Sequence, residues 1–284
     1  MEPNTQQVRD LTGRTFLVTG ANTGIGRATA EALARRGGRI WLGCRSEEKT
    51  RPVIDGIRAS GGAAEFLSLD LGDLASVRSS AQTFLATGES LDVLINNAGL
   101  AGARGLTRDG FEITFGTNHL GPFLFTTLLL PRLRESKNAR IANVSSHAHR
   151  GAKALDWEAF RKPTASATGF PEYGVSKLCN VLFTKELARG RAGAGITSYA
   201  LHPGGIASDI WREVPAFIRW AVLLLLKTPE QGARTSIACA TAPELASQDG
   251  RYYSNEREAR TSRLADDPDL ARELWARSEA WTRE

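Results

Sequence analysis

The stretch that decides the fold is residues 14–27, which read RTFLVTGANTGIGR. A short apolar run is followed by a glycine-rich turn and then by a helical pattern, so we predict a strand, a tight turn and the start of a helix. Gly20, Gly24 and Gly26 leave room for a ligand against the backbone, and the helix directs unpaired N–H groups and its positive end at the turn. The expected ligand is a nucleotide diphosphate, although an ordinary strand-to-helix connection has the same pattern.

The spacing of these glycines separates the turn from two common phosphate-binding motifs. It is G-x-x-x-G-x-G rather than the G-x-G-x-x-G of the commonest dinucleotide fingerprint. It also differs from the G-x-x-x-x-G-K-[ST] motif of nucleotide triphosphatases, because no lysine follows Gly26. Other motifs in the chain must therefore decide what the turn binds.

Composition limits the kind of protein this can be. At 284 residues with 42% hydrophobic side chains, the chain has enough apolar material for a full core. The net charge of +5 comes from 36 Lys and Arg against 31 Asp and Glu, and the basic residues are scattered. Because no basic run is present, we do not expect a nucleic acid partner.

The cysteines and apolar stretches indicate a compartment. Cys44, Cys179 and Cys239 are far apart and odd in number, which predicts neither a disulfide framework nor a metal-binding pair and favours a reducing, cytoplasmic compartment. The N-terminus is polar, and no stretch reaches the ~18 apolar residues of a membrane span. The closest is residues 220–226. We therefore expect no signal peptide, no transmembrane segment and no N-terminal anchor.

Strands and helices alternate along the chain. Runs of aliphatic residues without polar alternation predict strands that are covered on both faces. Further strands are predicted at 39–44, 65–69, 92–96, 140–145, 196–201 and 251–254, and helices at 46–60, 73–87, 111–136, 172–189, from 228 and after 268. Pro122 and Pro131 are expected to mark a kink and the last turn of the helix at 111–136. The pattern predicts a doubly wound parallel α/β sheet, a three-layer Rossmann fold, with residues 1–284 forming one domain.

Polar residues converge on one edge of this predicted sheet. Ser145 and Ser146 end one strand, and residues 96–99 end another, so both lie at the carboxyl edge where open α/β sheets bind ligands. Tyr173 and Lys177 are four residues apart on one helix face. Alternatively, Tyr173 and Lys177 are a surface pair beside the buried face of the helix. The polar residues that meet at the same sheet edge argue against this alternative.

These residues resemble the short-chain dehydrogenase/reductase family. Its motifs are matched in order by TGANTGIG at 19–26, NNAG at 96–99, Asn118, Ser146, the Y-x-x-S-K helix of Tyr173, Ser176 and Lys177, and the turn at 202–204. The resemblance covers nearly the whole chain. Within the family, the retinol dehydrogenase branch is most similar, through NHLG at 118–121, NVSSHAH at 143–149, and residues 176–187 and 227–232.

The resemblance implies hydride transfer between a nicotinamide and a carbonyl carbon, with Tyr173 as the general acid or base. Lys177 is expected to lower the pKa of the Tyr173 phenol through its charge and to bind the nicotinamide ribose. Ser146 is expected to bind the substrate oxygen, with Ser145 supporting it. Asn118 is implied to hold a water that links Lys177 to solvent, and an exposed helix position is its alternative.

The resemblance also implies a cofactor site. Its expected residues are Gly20, Asn22, Thr23, Gly24, Ile25, Gly26, Arg45, Asp70, Leu71, Asn97, Ala98, Gly99, Tyr173, Lys177, Pro203, Gly204, Ile206 and Ser208. An acidic residue after the second strand would suit NAD, whereas Arg45 suits the 2′-phosphate, so NADP(H) is expected. Arg27 either adds charge there or is a solvated helix residue. Asp70 either contacts the adenine or caps the next helix.

The substrate is expected to be lipophilic. Residues 210–226 are rich in Trp, Leu, Ile and Val, and in the family the segment at about 205–227 covers the substrate. A retinoid, a long-chain aldehyde or an apolar ketone would suit it. The alternatives are that these side chains contact a partner subunit, as in a homodimer or homotetramer, or rest peripherally on a membrane surface.

Two classes of function fit these motifs. The first is an oxidoreductase for lipophilic carbonyl compounds, or in a variant of that role a carbonyl reductase for a secondary-metabolite or steroid-like ketone. The second is a catalytically silent protein that senses the NADPH ratio. Because Asn118, Ser146, Tyr173 and Lys177 are all present, the enzyme is favoured. His147 and His149 lack acidic or Cys partners at ligand spacing, so they are expected to be loop residues and no metal site is predicted.

Overall fold

The predicted alternation of strands and helices is confirmed in a computed structural model, which describes residues 10–190, 193–204 and 228–283. The strands are β1 Thr15–Thr19, β2 Arg39–Cys44, β3 Ala63–Ser68, β4 Val93–Asn96, β5 Ala139–Val144, β6 Ile196–His202, β7 Arg251–Ser254 and β8 Arg257–Glu258. The longer helices are α1 Gly24–Arg35, α2 Glu47–Ala59, α3 Leu74–Ala86, α4 Gly121–Arg134, α5 Phe170–Arg189, α6 Pro229–Thr241 and α7 Pro268–Trp281. Among the described helices, none is long and apolar enough to cross a bilayer.

The strands form one sheet in the order β3-β2-β1-β4-β5-β6-β7-β8. Every neighbouring pair is parallel except β7 and β8, which are antiparallel. The strand order reverses between β1 and β4, and ligands of open α/β sheets bind outside the carboxyl ends of the strands at such a point. The doubly wound fold is therefore confirmed, while β8, with two residues, was not predicted.

Two apolar clusters fill the space between the sheet and its helices. One contains Leu33 of α1 and Cys239 of α6 against one face of the sheet. The other contains Phe84 of α3, Leu182 of α5 and Leu274 of α7 against the opposite face. The expected three layers are present, and the cysteines of the chain are free and buried.

Helix starts agree with the capping residues in the sequence. The Ser46 hydroxyl accepts a hydrogen bond from the Lys49 N–H at the start of α2. Thr228 and Gln231 form a capping box before α6, with each side chain accepting from the other residue's backbone N–H. Such caps satisfy N–H groups that have no partner inside the helix, which explains why these two starts were predictable.

The helix expected at 111–136 is confirmed over residues 113–134, with a π-helical turn inside it. The helix is α-helical at Ile113–Phe115, π-helical at Gly116–Leu120 and α-helical again in α4. A Cβ on Gly121 would lie 2.2 Å from the Leu71 carbonyl oxygen, so the backbone packs closely against the loop after β3 where the wide turn ends. The expected kink near Pro122 takes the form of this π-helical turn.

The last helix lies across the outer side of α4 and α5. Trp275 of α7 packs edge-on against Phe123 of α4, with ring centroids 5.0 Å apart, and its ring is tilted against Phe183 of α5 at 5.7 Å. Trp281 meets Phe115 at 5.8 Å. We refer to these five rings as the aromatic layer. It ties the end of the chain to the helices that carry the candidate site.

Candidate active site

The glycine-rich turn after β1 opens onto the edge of the sheet where the strand order reverses. Gly20 and Gly24 have φ angles of +66° and +53°, which favour glycine. A Cβ on Gly26 would lie 2.3 Å from the Gly20 carbonyl oxygen and 2.5 Å from Nδ2 of Asn97. Glycine at position 26 is therefore required by the packing of the chain itself, whereas we had explained it only by the approach of a ligand.

The start of α1 is open to an anion. Thr23 is the N-cap residue, and its side chain makes no capping hydrogen bond. The N–H groups of the first turn, which includes Ile25, therefore remain available to a ligand oxygen, with the helix dipole in support. Asn22 lies in the same turn.

The NNAG motif at 96–99 holds the turn in place. Asn97 donates from Nδ2 to the Thr19 carbonyl oxygen at 2.8 Å. The Thr19 hydroxyl accepts hydrogen bonds from the backbone N–H groups of Asn97 at 3.0 Å and Ala98 at 2.9 Å. A Cβ on Gly20 would lie 2.9 Å from the Ala98 Cα, so the two motifs are in direct contact. Through these contacts, NNAG supports the glycine-rich turn.

Lys177 projects from α5 into the interior at the ends of β4 and β5. It is 2% exposed, and its Nζ donates to the Val144 carbonyl oxygen at 2.9 Å. A Cβ on Gly99 would lie 3.3 Å from this Nζ and 3.2 Å from Oδ1 of Asn118, so the three residues meet at one point. Burial lowers the pKa of Lys177 from 10.5 to about 8. The alternative of a surface pair with Tyr173 is wrong for this lysine.

Tyr173 lies one turn before Lys177 on α5, and its ring centroid is 5.6 Å from Nζ. Burial raises the pKa of Tyr173 above its ordinary value, and hydrogen bonding with the Ser146 side chain acts in the opposite direction. The expected lowering of this pKa by the Lys177 charge is not found in the described chain, where burial is the largest cause of the shift. The phenol is protonated at neutral pH.

Ser146 and Ser145 have different surroundings. Ser145 is buried and its hydroxyl donates to the Lys177 carbonyl oxygen at 2.7 Å, so it ties the end of β5 to α5. Ser146 is partly exposed, and its hydroxyl accepts from the Ala148 N–H at 3.2 Å and interacts with Tyr173. Of the two serines, Ser146 is the one that can reach a substrate.

Asn118 lies in the π-helical turn and is 1% exposed. Its Nδ2 donates to the Leu100 carbonyl oxygen at 2.9 Å and to the Ser176 hydroxyl at 3.0 Å, while Oδ1 accepts from the Leu100 N–H at 2.8 Å. The Ser176 hydroxyl in turn donates to the Tyr173 carbonyl oxygen at 2.8 Å. The alternative of an exposed helix residue is wrong, and the amide connects the loop after β4 to α5.

Three charged candidates lie further along the sheet edge. Arg45 follows β2, is exposed, and makes no hydrogen bond or ion pair within the part of the chain that the structure describes. Arg27 is exposed and pairs with Glu31 at 2.7 Å, as expected for a solvated helix residue. The Asp70 Oδ1 accepts from the Gly72 N–H at 2.9 Å, so one carboxylate oxygen stabilises the local turn.

Some of the remaining cofactor-site candidates lie among the residues that the structure describes, and others lie outside them. Leu71 is buried beside Asp70, and Pro203 and Gly204 follow β6 at the same edge of the sheet. Ile206, Ser208 and the proposed substrate-covering segment at 205–227 lie outside the described residues. A cavity of about 290 Å³ opens beside Ala139 and Ile196, at the amino ends of β5 and β6, and contains none of the candidate residues.

Two contacts of histidines at this edge were missed from the sequence. The rings of His147 and His202 stack with centroids 3.9 Å apart. His149 was expected to be a loop residue, yet its side chain is fully buried and bonds the Ser146 carbonyl oxygen at 2.6 Å. The available signal for the first contact was that His147 follows β5 and His202 ends β6, because the ends of neighbouring parallel strands meet at one edge.

The fold and this group of side chains define a class, the oxidoreductases that bind a nicotinamide dinucleotide on a parallel α/β sheet. The model of the short chain dehydrogenase family matches residues 14–159. The chain belongs to the short-chain dehydrogenase/reductase family, and it is similar to retinol dehydrogenases, as the sequence motifs indicated.

The relatives cover most of the chain. Human retinol dehydrogenase 11 is 44% identical over 275 residues, which cover 93% of this chain and 84% of that protein. Bovine dehydrogenase/reductase SDR family member 13 is 42% identical over 287 residues, with coverage of 97% and 75%. The likeness to the retinol dehydrogenase branch is thus confirmed.

Solved structures agree with the fold. An uncharacterized protein from Mycobacterium paratuberculosis superposes with a TM-score of 0.77 at 33% identity, covering 98% of this chain and 96% of that one. A candidate NAD(P)-dependent gluconate 5-dehydrogenase from Beutenbergia cavernae, solved with NADP at low occupancy, gives a TM-score of 0.68 at 27% identity, with coverage of 87% and 96%.

Proposed function

We propose that the protein is an NADP(H)-dependent oxidoreductase that interconverts an alcohol with an aldehyde or ketone, using Tyr173 as the general acid or base. The observation that carries the proposal is the meeting of Tyr173, Ser146, Lys177 and Asn118 at the carboxyl ends of β4 and β5. These polar groups lie beside the glycine-rich turn, at the point where the strand order reverses and where open α/β sheets bind their ligands.

The residues present fit a nicotinamide dinucleotide. The open N-terminus of α1 suits a pyrophosphate. Arg45 is exposed and has no ion pair with a described residue, so its guanidinium is available to a 2′-phosphate. Lys177 supplies a positive group at the other end of the crevice. When bound, the cofactor would supply or accept the hydride.

The protein's own groups would handle the proton. Reduction of a carbonyl leaves negative charge on the substrate oxygen, and the Tyr173 hydroxyl, protonated at neutral pH, would donate a proton to it. The Ser146 hydroxyl would hold that oxygen in reach through a hydrogen bond. The Lys177 ammonium would stabilise the phenolate that remains, and the proton would return through a water held near Asn118.

The substrate class follows from the composition of the undescribed segment and from the relatives. Residues 210–226 are largely apolar, and the relatives include retinol dehydrogenase 11. We therefore propose a lipophilic carbonyl compound or alcohol, such as a retinoid or a long-chain aldehyde, covered by residues 205–227 in a single domain. The free, buried cysteines support a cytoplasmic location as part of this proposal.

A substrate panel tests the proposal. Aldehydes of increasing chain length, apolar ketones and retinoids are supplied with NADPH, and its consumption is followed by absorbance. If the apolar segment lines the site, each buried methylene should add about 0.8 kcal/mol, close to fourfold in kcat/KM, until the site is filled. A flat series with detergent-dependent association would assign the segment to an interface. Tight NADPH binding without any turnover would indicate a silent sensor instead.

A further inference from the structure

We propose that His149 is a positioning residue for Ser146, because its neutral ring, protonated at Nδ1, ties the Ser146 carbonyl to the C-terminal segment at Ser262. The inference rests on the proposed function, in which the Ser146 hydroxyl binds the substrate oxygen. We call the pair of contacts through the His149 ring the histidine tie. It would explain why a fully buried histidine follows the serine by three residues.

The partners of the ring fix its tautomer. Nδ1 of His149 lies 2.6 Å from the Ser146 carbonyl oxygen, and Nε2 lies 3.2 Å from the backbone nitrogen of Ser262. A backbone N–H can only donate, so Nε2 must carry a lone pair. A carbonyl oxygen can only accept, so Nδ1 must carry the hydrogen. One neutral tautomer satisfies both partners, and the other neutral tautomer satisfies neither.

The tie acts on the turn that presents the serine hydroxyl. Ser146 begins the short helical turn His147–Gly151, and its hydroxyl accepts from the Ala148 N–H at 3.2 Å. Its carbonyl oxygen accepts both the backbone N–H of His149, at 3.1 Å, and the ring Nδ1–H. Because the carbonyl and the hydroxyl of Ser146 are held by the same turn, a shift of the ring moves the hydroxyl as well.

Neighbouring residues hold the His149 ring in position. Tyr252 of β7 packs edge-on against His149, with centroids 5.0 Å apart. Arg150 donates to the Arg260 carbonyl oxygen at 2.7 Å, a second link between the turn and the C-terminal segment. The turn is therefore anchored at two points to residues 260–262, which follow β8.

The charged groups that face His149 disfavour its protonation. Burial lowers the pKa of His149, the hydrogen bond to the Ser146 carbonyl raises it, and the charges of Arg150, His147 and Lys185 lower it further. The negative charge of Asp266 favours protonation of the His149 ring, but the Asp266 carboxylate is paired with Lys185. A charged ring would direct an N–H at the Ser262 N–H, so protonation would break the tie at that end.

Two variants with amide side chains separate the contact of His149 with Ser146 from its contact with Ser262. His149→Asn places an amide nitrogen near the position of Nδ1 and keeps a donor for Ser146. His149→Gln reaches the position of Nε2, keeps an acceptor for Ser262 and leaves the Ser146 carbonyl without its side-chain donor. We expect His149→Asn to retain kcat within about threefold and His149→Gln to lose about tenfold, with the affinity for NADPH unchanged in both.

Thermal unfolding is measured for both variants, because a purely structural histidine would lower stability and kcat together. Equal kcat in the two variants, or losses of kcat that follow losses of stability, would overturn the proposal. A second measurement does not depend on activity. Nitrogen-15 NMR of labelled histidine should show His149 as the neutral Nδ1–H tautomer at neutral pH, and a charged or Nε2–H ring would overturn the proposal. Absence of turnover with every carbonyl compound refutes the proposed function alone, since the tautomer is read independently.

Discussion

Nζ of Lys177 and Nδ2 of Asn180 donate to the same acceptor, the carbonyl oxygen of Val144, at 2.9 and 3.3 Å. The lysine is buried, and its pKa is lowered to about 8 by desolvation, with no carboxylate among the causes. A charged group held by a carbonyl alone costs stability. The same charge is what the proposed chemistry requires, so stability and function oppose each other at this residue.

We expect Lys177→Met to inactivate the protein and to raise its free energy of unfolding at neutral pH by about 1 to 3 kcal/mol, because the shift from 10.5 to about 8 is a measure of the burial cost. Asn180 still satisfies the Val144 carbonyl. The pKa of Lys177 is lower in the folded chain than in the unfolded chain. The stability cost of burying its charge is therefore full below pH 8 and disappears as the pH rises through 10.5. Urea unfolding at neutral pH and at about pH 10 measures this.

The matched control is Lys49→Met, since Lys49 is exposed on α2 and its replacement should leave stability nearly unchanged at both pH values. A Lys177→Met protein that is less stable than the native chain at neutral pH would contradict the expectation.

Tyr173→Phe should lower the rate by about 10² to 10⁴, the usual contribution of a positioned general acid, without loss of fold or NADPH binding. Ser146→Ala should mainly lower turnover. Tyr199→Phe is a useful comparison, because the Tyr199 hydroxyl is bonded to the Leu245 carbonyl away from the site, so stability should fall while the rate remains. Steady-state kinetics and thermal unfolding of the three variants distinguish these patterns, and retained turnover in Tyr173→Phe would show that another group donates the proton.

Arg45→Asp should lower the preference for NADPH over NADH by at least about tenfold, because a charged hydrogen bond is worth about 1.5 to 3 kcal/mol. The ratio of kcat/KM for the two cofactors measures this preference. Arg51→Asp makes the same charge change on α2, where Arg51 is exposed and pairs with Glu47, and should leave the ratio unchanged. Equal use of the two cofactors by the native protein would defeat the expectation.

Gly26→Ala and Gly56→Ala should change stability in opposite directions. A Cβ at Gly26 meets the Gly20 carbonyl oxygen at 2.3 Å, so we expect a loss of about 1 to 3 kcal/mol together with weaker NADPH binding. Gly56 lies inside α2 with nothing within 4 Å of an added Cβ, so alanine should stabilise by about 0.5 to 1 kcal/mol. Chemical denaturation measures both, and a tolerated Gly26→Ala would mean that the turn can relax.

Much of the fold could be predicted because its signals are local. β2 was predicted at 39–44 and β7 at 251–254, as the structure has them, from aliphatic and aromatic runs between turn residues. The starts of α2 and α6 followed from the capping residues Ser46 and Thr228. These features depend on residues within a few positions of one another, so a single sequence contains the information.

What could not be predicted depends on distant residues. The π-helical turn that carries Asn118 ends where Gly121 packs closely against the loop after β3, a contact that no local pattern indicates. The raised pKa of Tyr173 and the lowered pKa of Lys177 come from burial, and burial is a property of the assembled chain. The histidine tie joins His149 to Ser262, more than a hundred positions later in the sequence.

The aromatic layer has a consequence for how the chain reaches its native state. Trp275 and Trp281 close over Phe115, Phe123 and Phe183, so this surface is completed by residues that leave the ribosome long after the helices they cover. Contacts between such distant residues form slowly, and exposed aromatic surface promotes association in the meantime. The yield of refolded protein should therefore fall with protein concentration, and chains that end before α7 should depend on chaperones to stay soluble.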